Sequence, residues 1–354
     1  MTQPLPITGQ PSSGPAFTNL TEFAALLKHL PVADPSQKRA AEQRNAQLTK
    51  PKEALGRLED LAIWYAAWQG HIPPQSLSPQ IVIFAGNHGV TRHGISAYPG
   101  DVTEQMVRNF TAGGAAINQL AETAQAQLDI FPLDLERPTS DLSVGAAMTE
   151  TECIAALNVG WNSVRSQAGL LICGEMGIGN TTSAAAICLA LYAGRAEDWV
   201  GPGTGVHDDG LQRKREVVTA ALKANGPFSA RDGLAILQAL GGREIAAMAG
   251  AMARARMLRI PVMLDGYVCC AAAACLHACA PDIMDHMIAG HLSAEPAHRA
   301  LLSKLGKTPL LDAGMRLGEG SGAAVAIHIL ISALACHTGM ATFAEAGVSG
   351  ASDD

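Results

Sequence analysis

Aromatic side chains are scarce in this sequence: Phe, Tyr and Trp together make up 4 % of 354 residues. A core of this size has to be assembled from small aliphatic side chains, and the 48 % hydrophobic content supplies them. Charge is thin as well, at 16 %, and it leans acidic, with 25 Lys and Arg against 32 Asp and Glu for a net charge of −7. The broad basic face that phosphate-backbone binding needs is missing, so nucleic acid is not an expected partner. The most apolar internal stretch, "VMLDGYVCCAAAACLHACA", is interrupted by Asp265 and His277 and relies on alanine, which contributes little insertion energy, so no membrane partner is expected. The eight cysteines lack paired zinc spacing; Cys269, Cys270, Cys275 and Cys279 read as small buried thiols on a close-packed helix. No metal and no cofactor is expected. The opening "MTQPLPITGQPSSGPA" has no basic, apolar, cleavable pattern, so residues 1–16 are expected to form a flexible arm and the protein to be cytoplasmic.

What is present is a change of style along the chain. "FTNLTEFAALLKHLP" sets Leu20, Phe23, Leu27 and Leu30 on one helical face ahead of Pro31, and "RLEDLAIWYAAWQG" does the same with Leu58, Leu61, Trp64, Tyr65 and Trp68 ahead of Gly70. From residue 76 onward, short apolar runs ending in glycine or polar turns alternate with helical stretches: "IVIFAG", "LDIFPLDL", "GLLICGE", "IPVMLDG" and "HMIAGH". This predicts an α/β fold with a largely parallel, Rossmann-like sheet flanked by helices. "DVTEQMVRNF" has a capping-box spacing between Asp101 and Glu104, and "SGAAVAIHILISALACHTGMATFAEAG" predicts a long C-terminal helix. Residues 17–75 and 316–354 are expected to form a smaller helical domain beside an α/β domain at 76–315.

In open parallel sheets ligands gather at the carboxyl ends of the strands, where Asn87, His88, Glu175, Asp265 and His291 fall. In "GEMGIGNTTSAAA" the glycines 174, 177 and 179 leave room for a phosphate, with Asn180, Thr181 and Thr182 as donors or helix caps; a cramped connection fits the same residues. No Gly-Lys-Ser/Thr follows, and the glycine order differs from the dinucleotide fingerprint. A second glycine loop, Gly201, Gly203 and Gly205, precedes Lys214, which either reaches a phosphate or sits on a solvated helix face. Glu319 in "LGEGSGAA" lies between glycines; desolvated, such a carboxylate suits a general base, and otherwise it is a surface residue or a cap. Ser293 and Glu295 read as a helix start, with His291 and His298 beside them, and His88 as a turn histidine. "VMLDG" lacks the second acid expected for a magnesium-bound sugar pyrophosphate.

Taken in order, "GRLEDLAIW", "FAGNHGV", "VTEQMVRNFTAGGAAIN", "GEMGIGNTTSAAA", "GPGTGV", "PVMLDG", "GHLSAEPAH", "RLGEGSGAA" and "MATFAEAGV" resemble the nicotinate-nucleotide:dimethylbenzimidazole phosphoribosyltransferases, the CobT family, over residues 50–348. The resemblance implies transfer of the phosphoribosyl group of nicotinate mononucleotide to 5,6-dimethylbenzimidazole, with inversion at the anomeric carbon, in cobalamin lower-ligand assembly. It implies Glu319 as general base, Glu175 as a second catalytic carboxylate, and a homodimer. Its motifs place at the substrates Phe84, Asn87 and His88; Gly174, Met176, Gly177, Ile178, Gly179, Asn180 and Thr181; Gly203, Thr204, Gly205 and Lys214; and Gly290, Ser293, Leu317 and Gly318. Asn87 stands where many relatives carry aspartate, and "KPKEALGRLE" replaces a more usual proline-glycine-serine stretch. The alternatives are another nucleotide-binding enzyme, a phosphotransferase or dehydrogenase, against which the missing lysine and dinucleotide motifs count, and a non-catalytic nucleotide sensor in which Glu319 is structural.

Overall fold

The computed structural model describes residues 16–70, 77–203 and 205–349, so nearly all of the expected arm, and Thr204, lie outside the described residues. The chain is docked from its first described residues: Phe17 is buried, with its ring centroid 4.6 Å from that of Phe23 and 5.9 Å from that of Trp161. Three helices follow: α1 (Leu20–Leu27), capped by Asn19; α2 (Pro35–Gln47), capped by Asp34; and α3 (Arg57–Gln69), closed by Gly70 in the left-handed region. The polar segment between the two amphipathic patterns is therefore helical too. Its Arg44 donates to the carbonyls of His337, Thr338 and Met340, the free acceptors at the end of the last long helix.

The rest alternates as the apolar runs predict: β1 (Pro79–Ala85), α4 (Val102–Thr111), α5 (Ala116–Thr123), β2 (Gln127–Pro132), α6 (Glu150–Ser163), β3 (Leu170–Met176), α7 (Asn180–Tyr192), α8 (Ala196–Trp199), α9 (Asp209–Asn225), α10 (Gly233–Leu240), α11 (Arg243–Met257), β4 (Val262–Leu264), α12 (Tyr267–Cys279), β5 (Met287–Ala289), α13 (Pro296–Lys304), α14 (Ser321–Gly339) and α15 (Phe343–Ala346). The five strands form one parallel sheet in the order β2-β1-β3-β4-β5. The fold is α/β, as expected. The expected capping box at α4 does not form: Asp101 is itself helical and makes no cap bond, and Glu104 pairs with Arg108 one turn on.

Alternation along each strand divides the core in two. Val82, Phe84, Leu171, Cys173, Val262 and Leu264 face the layer built by α6, α7 and α10–α12, while Ile81, Ile83, Leu170, Ile172 and Met263 face α3, α5 and α14. Burial on both faces is why the strands read as continuous apolar runs. Among the described residues α14 is long and apolar enough to cross a membrane by length and composition, and half of it is buried in the protein, against α3, α5 and the sheet. The cysteine-rich run forms α12, all of it buried up to Leu276.

Small residues let the layers close. On α6 and α11 the approach is reciprocal: a methyl on Gly160 would overlap the Ala247 carbonyl, and one on Gly250 the Leu157 carbonyl. Two effects oppose each other in Gly160→Ala, since alanine favours the helix by about 1 kcal/mol while overpacking costs about 1–3 kcal/mol and dominates against a rigid backbone. The variant is expected to unfold at lower denaturant concentration with an unchanged slope.

Candidate active site

Strand order locates the site. The chain leaves β1 for the β2 edge and then returns to place β3 on the other side of β1, so their carboxyl ends frame the crevice where such sheets bind ligands. Around it converge the turn after β1, Glu175 at the end of β3, the α7 N-terminus, Asp265 after β4, His291 after β5, the start of α11 and the turn leading into α14. A groove of about 1030 Å³ lies instead at the amino ends of β1 and β2. It is flanked by a satisfied network in which Gln80 and Arg165 both donate to Asp129, at 2.8 and 2.7 Å, so nothing in that network awaits a partner.

The glycines of "GEMGIGN" are filled by protein, which corrects the expectation that a phosphate occupies their space. At Gly174 a Cβ would meet the backbone of Glu319 and Gly320 at 2.5 and 2.6 Å. At Gly177 it would meet the Gly86 carbonyl at 2.8 Å, and Gly179, at φ +94°, caps α7 with Thr91 against it. These three positions let neighbouring loops close onto β3. The result is to seat the turn carrying Glu319 directly on the strand that carries Glu175. Ile178 is buried, its N–H donating to Thr103 at 3.3 Å, and Met176 is half-buried on the α14 side.

Glu319 occupies the left-handed region at φ +61° between Gly318 and Gly320, which share it. Its side chain is buried and Oε2 has no hydrogen-bond partner. Burial, aided by the nearby Asp265 charge, pushes its carboxyl up to about 7. Glu175 is pushed up to about 8, first by burial and then by the charges of Glu244, Asp265 and Glu319, against the pull of an Asn180 amide bond to Oε2. A Cβ on Gly318 would collide with Glu175 Oε1, so only glycine fits there. Leu317, at 55 % exposure, stands at the rim of this turn.

A basic pole forms where Lys214 of α9 reaches the loop after α8. Lys214 is buried, and its Nζ donates to Thr181 Oγ1 at 3.0 Å and to the Gly201 carbonyl at 2.8 Å. Burial pushes the ammonium down to about 8, with Glu295 opposing. Glu295 accepts the Gly203 N–H at 3.2 Å, its other oxygen is unpartnered, and Arg316 donates to the Gly203 carbonyl at 3.0 Å. Arg316 thus ties this loop to the Glu319 turn. Around Gly205, at φ +117°, the space is open.

Four other expected substrate positions point elsewhere. Phe84 is a core residue, its ring 5.7 Å from that of Phe131. His88 turns inward, with Nε2 2.6 Å from Glu244 Oε1 and Nδ1 3.2 Å from Ser183 Oγ, so both ring nitrogens are engaged. Gly290 gives way to Ala323 of α14, and Ser293 accepts the Glu295 N–H ahead of α13. Asn87 donates to the Leu135 carbonyl at 2.9 Å and keeps a buried, unpartnered oxygen. Glu244 and Arg316 escaped sequence reading. Glu244 opens a helix far along the chain, and its only local signal is the Gly-Gly pair before it; Arg316 heads the motif "RLGEGSGAA" but had no role assigned to it there. Among the described residues no three or more His, Cys, Asp or Glu side chains converge as a metal ligand set.

A doubly wound sheet with buried carboxylates at its switch point, beside a buried lysine of α9, is the setting of an enzyme that binds a small ligand at the strand ends. The chain belongs to the phosphoribosyltransferase family, whose family model matches residues 30–348. It is 58 % identical over 335 residues to the nicotinate-nucleotide–dimethylbenzimidazole phosphoribosyltransferase of a Ruegeria species, covering 95 % of this chain and 99 % of that one. It is 60 % identical over 335 residues to the protein of the same name from Ruegeria pomeroyi, with the same coverage. The crystal structure of CobT from Thermus thermophilus superposes with a TM-score of 0.85 at 42 % identity, covering 90 % of this chain and all of that one.

The raised carboxyls carry a stability signature. The folded protein keeps a proton on Glu175 that the unfolded chain releases above its ordinary 4.5, so this stabilisation is full below that pH and is lost as pH rises through about 8. Glu175→Gln, which mimics the protonated acid, is expected to raise the melting temperature by several degrees at about pH 8.5 and to change it little at about pH 5. Melting curves across that range check it.

Proposed function

We propose that the protein transfers the phosphoribosyl group of nicotinate mononucleotide to 5,6-dimethylbenzimidazole, giving α-ribazole 5'-phosphate and nicotinate with inversion at the anomeric carbon, as a step of cobalamin nucleotide-loop assembly. The observation that carries this reading is Glu319: a buried carboxylate with a free oxygen, held in a strained turn over the sheet's switch point. The relatives' names supply the substrates.

The chemistry suits the groups present. Nicotinate joined to ribose is a pyridinium, so when the glycosidic bond breaks the electron pair returns to the ring nitrogen and the ring leaves without needing protonation. The incoming benzimidazole attacks the anomeric carbon through one nitrogen while the proton on the other passes to Glu319. An acid whose pKa lies near 7 is matched to that task. Burial pushes the Glu175 carboxyl up to about 8 in the free protein; the pyridinium ring of nicotinate mononucleotide beside it favours the ionised form, and the carboxylate then stabilises the positive charge that develops on the ribose.

The 5'-phosphate belongs at the basic pole, against Lys214, Thr181, Gly203 and Gly205, with Thr204 assigned there by motif alone. Asn180 holds Glu175, and Asn87, Met176, Leu317 and Gly318 are assigned to the substrates by motif. Anchoring the phosphate fixes the ribose so that the two bases approach from opposite faces, which makes much of the rate advantage positional. We infer a cytoplasmic homodimer acting on small molecules. The net charge of −7 argues against nucleic acid, and Ile331 on the exposed face of α14 is an apolar residue open to a second subunit.

Two variants test the assignment. Glu319→Gln is expected to lower kcat by about 10²–10⁴ while nicotinate mononucleotide still binds; unchanged turnover, followed by nicotinate release, removes Glu319 as base. Lys214→Met is expected to raise the KM for nicotinate mononucleotide by about tenfold or more, with a smaller effect on the KM of the acceptor base.

A further inference from the structure

The helix that follows Glu319 cannot cap itself. Its N-cap position is Gly320, which has no side chain to offer to the free N–H groups of the first turn. The missing acceptor comes from another strand: Asp265, buried just after β4, takes the Ala323 N–H at 2.9 Å on Oδ1, and the N–H groups of Gly266 and Gly320 also point at it. His291, just after β5, brings Nε2 to 3.4 Å from the same oxygen. Its ring lies so close to Gly322 that a methyl there would overlap it. Gly290 packs against Ala323, and Gly174 of β3 against the Glu319 backbone. The first turn of α14 is thus held by the ends of three strands.

We propose that Asp265, partnered by His291, is a positioning residue of the reaction: through the first turn of α14 it holds Glu319 in its left-handed turn over the end of β3. A residue with a Cβ is strained in a sparsely populated backbone region and persists there only when its surroundings over-determine it. Asp265 supplies that determination, because releasing the amides of residues 320 and 323 frees the turn to relax to negative φ. The inference rests on the reading of Glu319 as base and extends it to a residue that need not touch substrate.

Charge adds a second consequence. Glu319 faces Asp265 from β4 and Glu175 from β3; Glu175 in turn faces Glu244 of α11, and Asp265 faces His291 and the thiols of Cys269 and Cys270. Burial pushes the Asp265 carboxyl up, while His291 and the backbone donors pull it back. Its negative charge makes Glu319 hold its proton more tightly. Asp265→Asn keeps an oxygen for the α14 amides and removes that charge; Asp265→Ala removes both.

Hydrogen exchange and pH–rate profiles test the two consequences on the full chain. In Asp265→Ala the amides of residues 320–323 are expected to exchange about tenfold faster or more, as loss of a bond to a charged acceptor implies, with kcat falling more than the KM for nicotinate mononucleotide changes. In Asp265→Asn the ascending limb of kcat/KM is expected to move to lower pH by about one unit, with more activity kept than in the alanine variant. Unchanged exchange at residues 320–323 in Asp265→Ala overturns the positioning role, and an ascending limb in Asp265→Asn that coincides with that of the unsubstituted protein overturns the charge effect. If Asp265→Ala does not fold, exchange in Asp265→Asn decides: a neutral amide oxygen holds those N–H groups less tightly than a carboxylate, so unchanged exchange there overturns the positioning role. A failure of the base assignment looks different: the exchange effect persists while Glu319→Gln turns over normally.

Discussion

The close approach of two backbones, the turn at residues 318–320 and the end of β3, is the constraint on which the site depends. It is possible because Gly174 has no side chain where Glu319 and Gly320 pass, and because Gly318 has none where Glu175 stands. It brings two carboxylates from distant parts of the chain into one desolvated space, where neither ionises at its ordinary pH. Water would stabilise both ions and erase the difference. Glu319 is buried, and the scarcity of aromatic rings is consistent with layers packed this closely.

The same packing divides the labour of the loops. One set of glycines joins protein to protein, and Gly203 does the same against Thr181 and Lys214, whereas the space around Gly205 is open. Arg316 connects the two, bonding to the Gly203 carbonyl only three residues ahead of Glu319. In the proposed reaction the phosphate pole and the base turn are therefore mechanically coupled, so that seating the phosphate bears on where the base sits. Asp265 and His291 brace the other side of the same turn.

Much of the fold was legible because its signals are local. A strand buried on both faces must be an apolar run, a turn at its end needs glycine, and all five runs became strands of one sheet. The site was legible in part. Glu319 and Glu175 stood out by their glycine settings, whereas His88 and Phe84 sat in an equally suggestive string and turned inward. Direction of a side chain at a strand end depends on what packs behind it, and for His88 that partner is Glu244, 156 residues away.

By itself, the sequence determined the alternation of strands and helices, the glycine turns, the acidic balance and the string of motifs that marks the family. Each of these is a property of residues close in the chain, where periodicity and backbone preference act without a partner. Only the tertiary structure decided which glycines receive protein rather than ligand, which histidine is bound up in the core, and that a carboxylate after β4 caps a helix that begins at residue 321. Those are contacts between distant segments. They exist only once the sheet order has brought the strand ends together, and desolvation, which gives the carboxyls their altered acidity, exists only then as well.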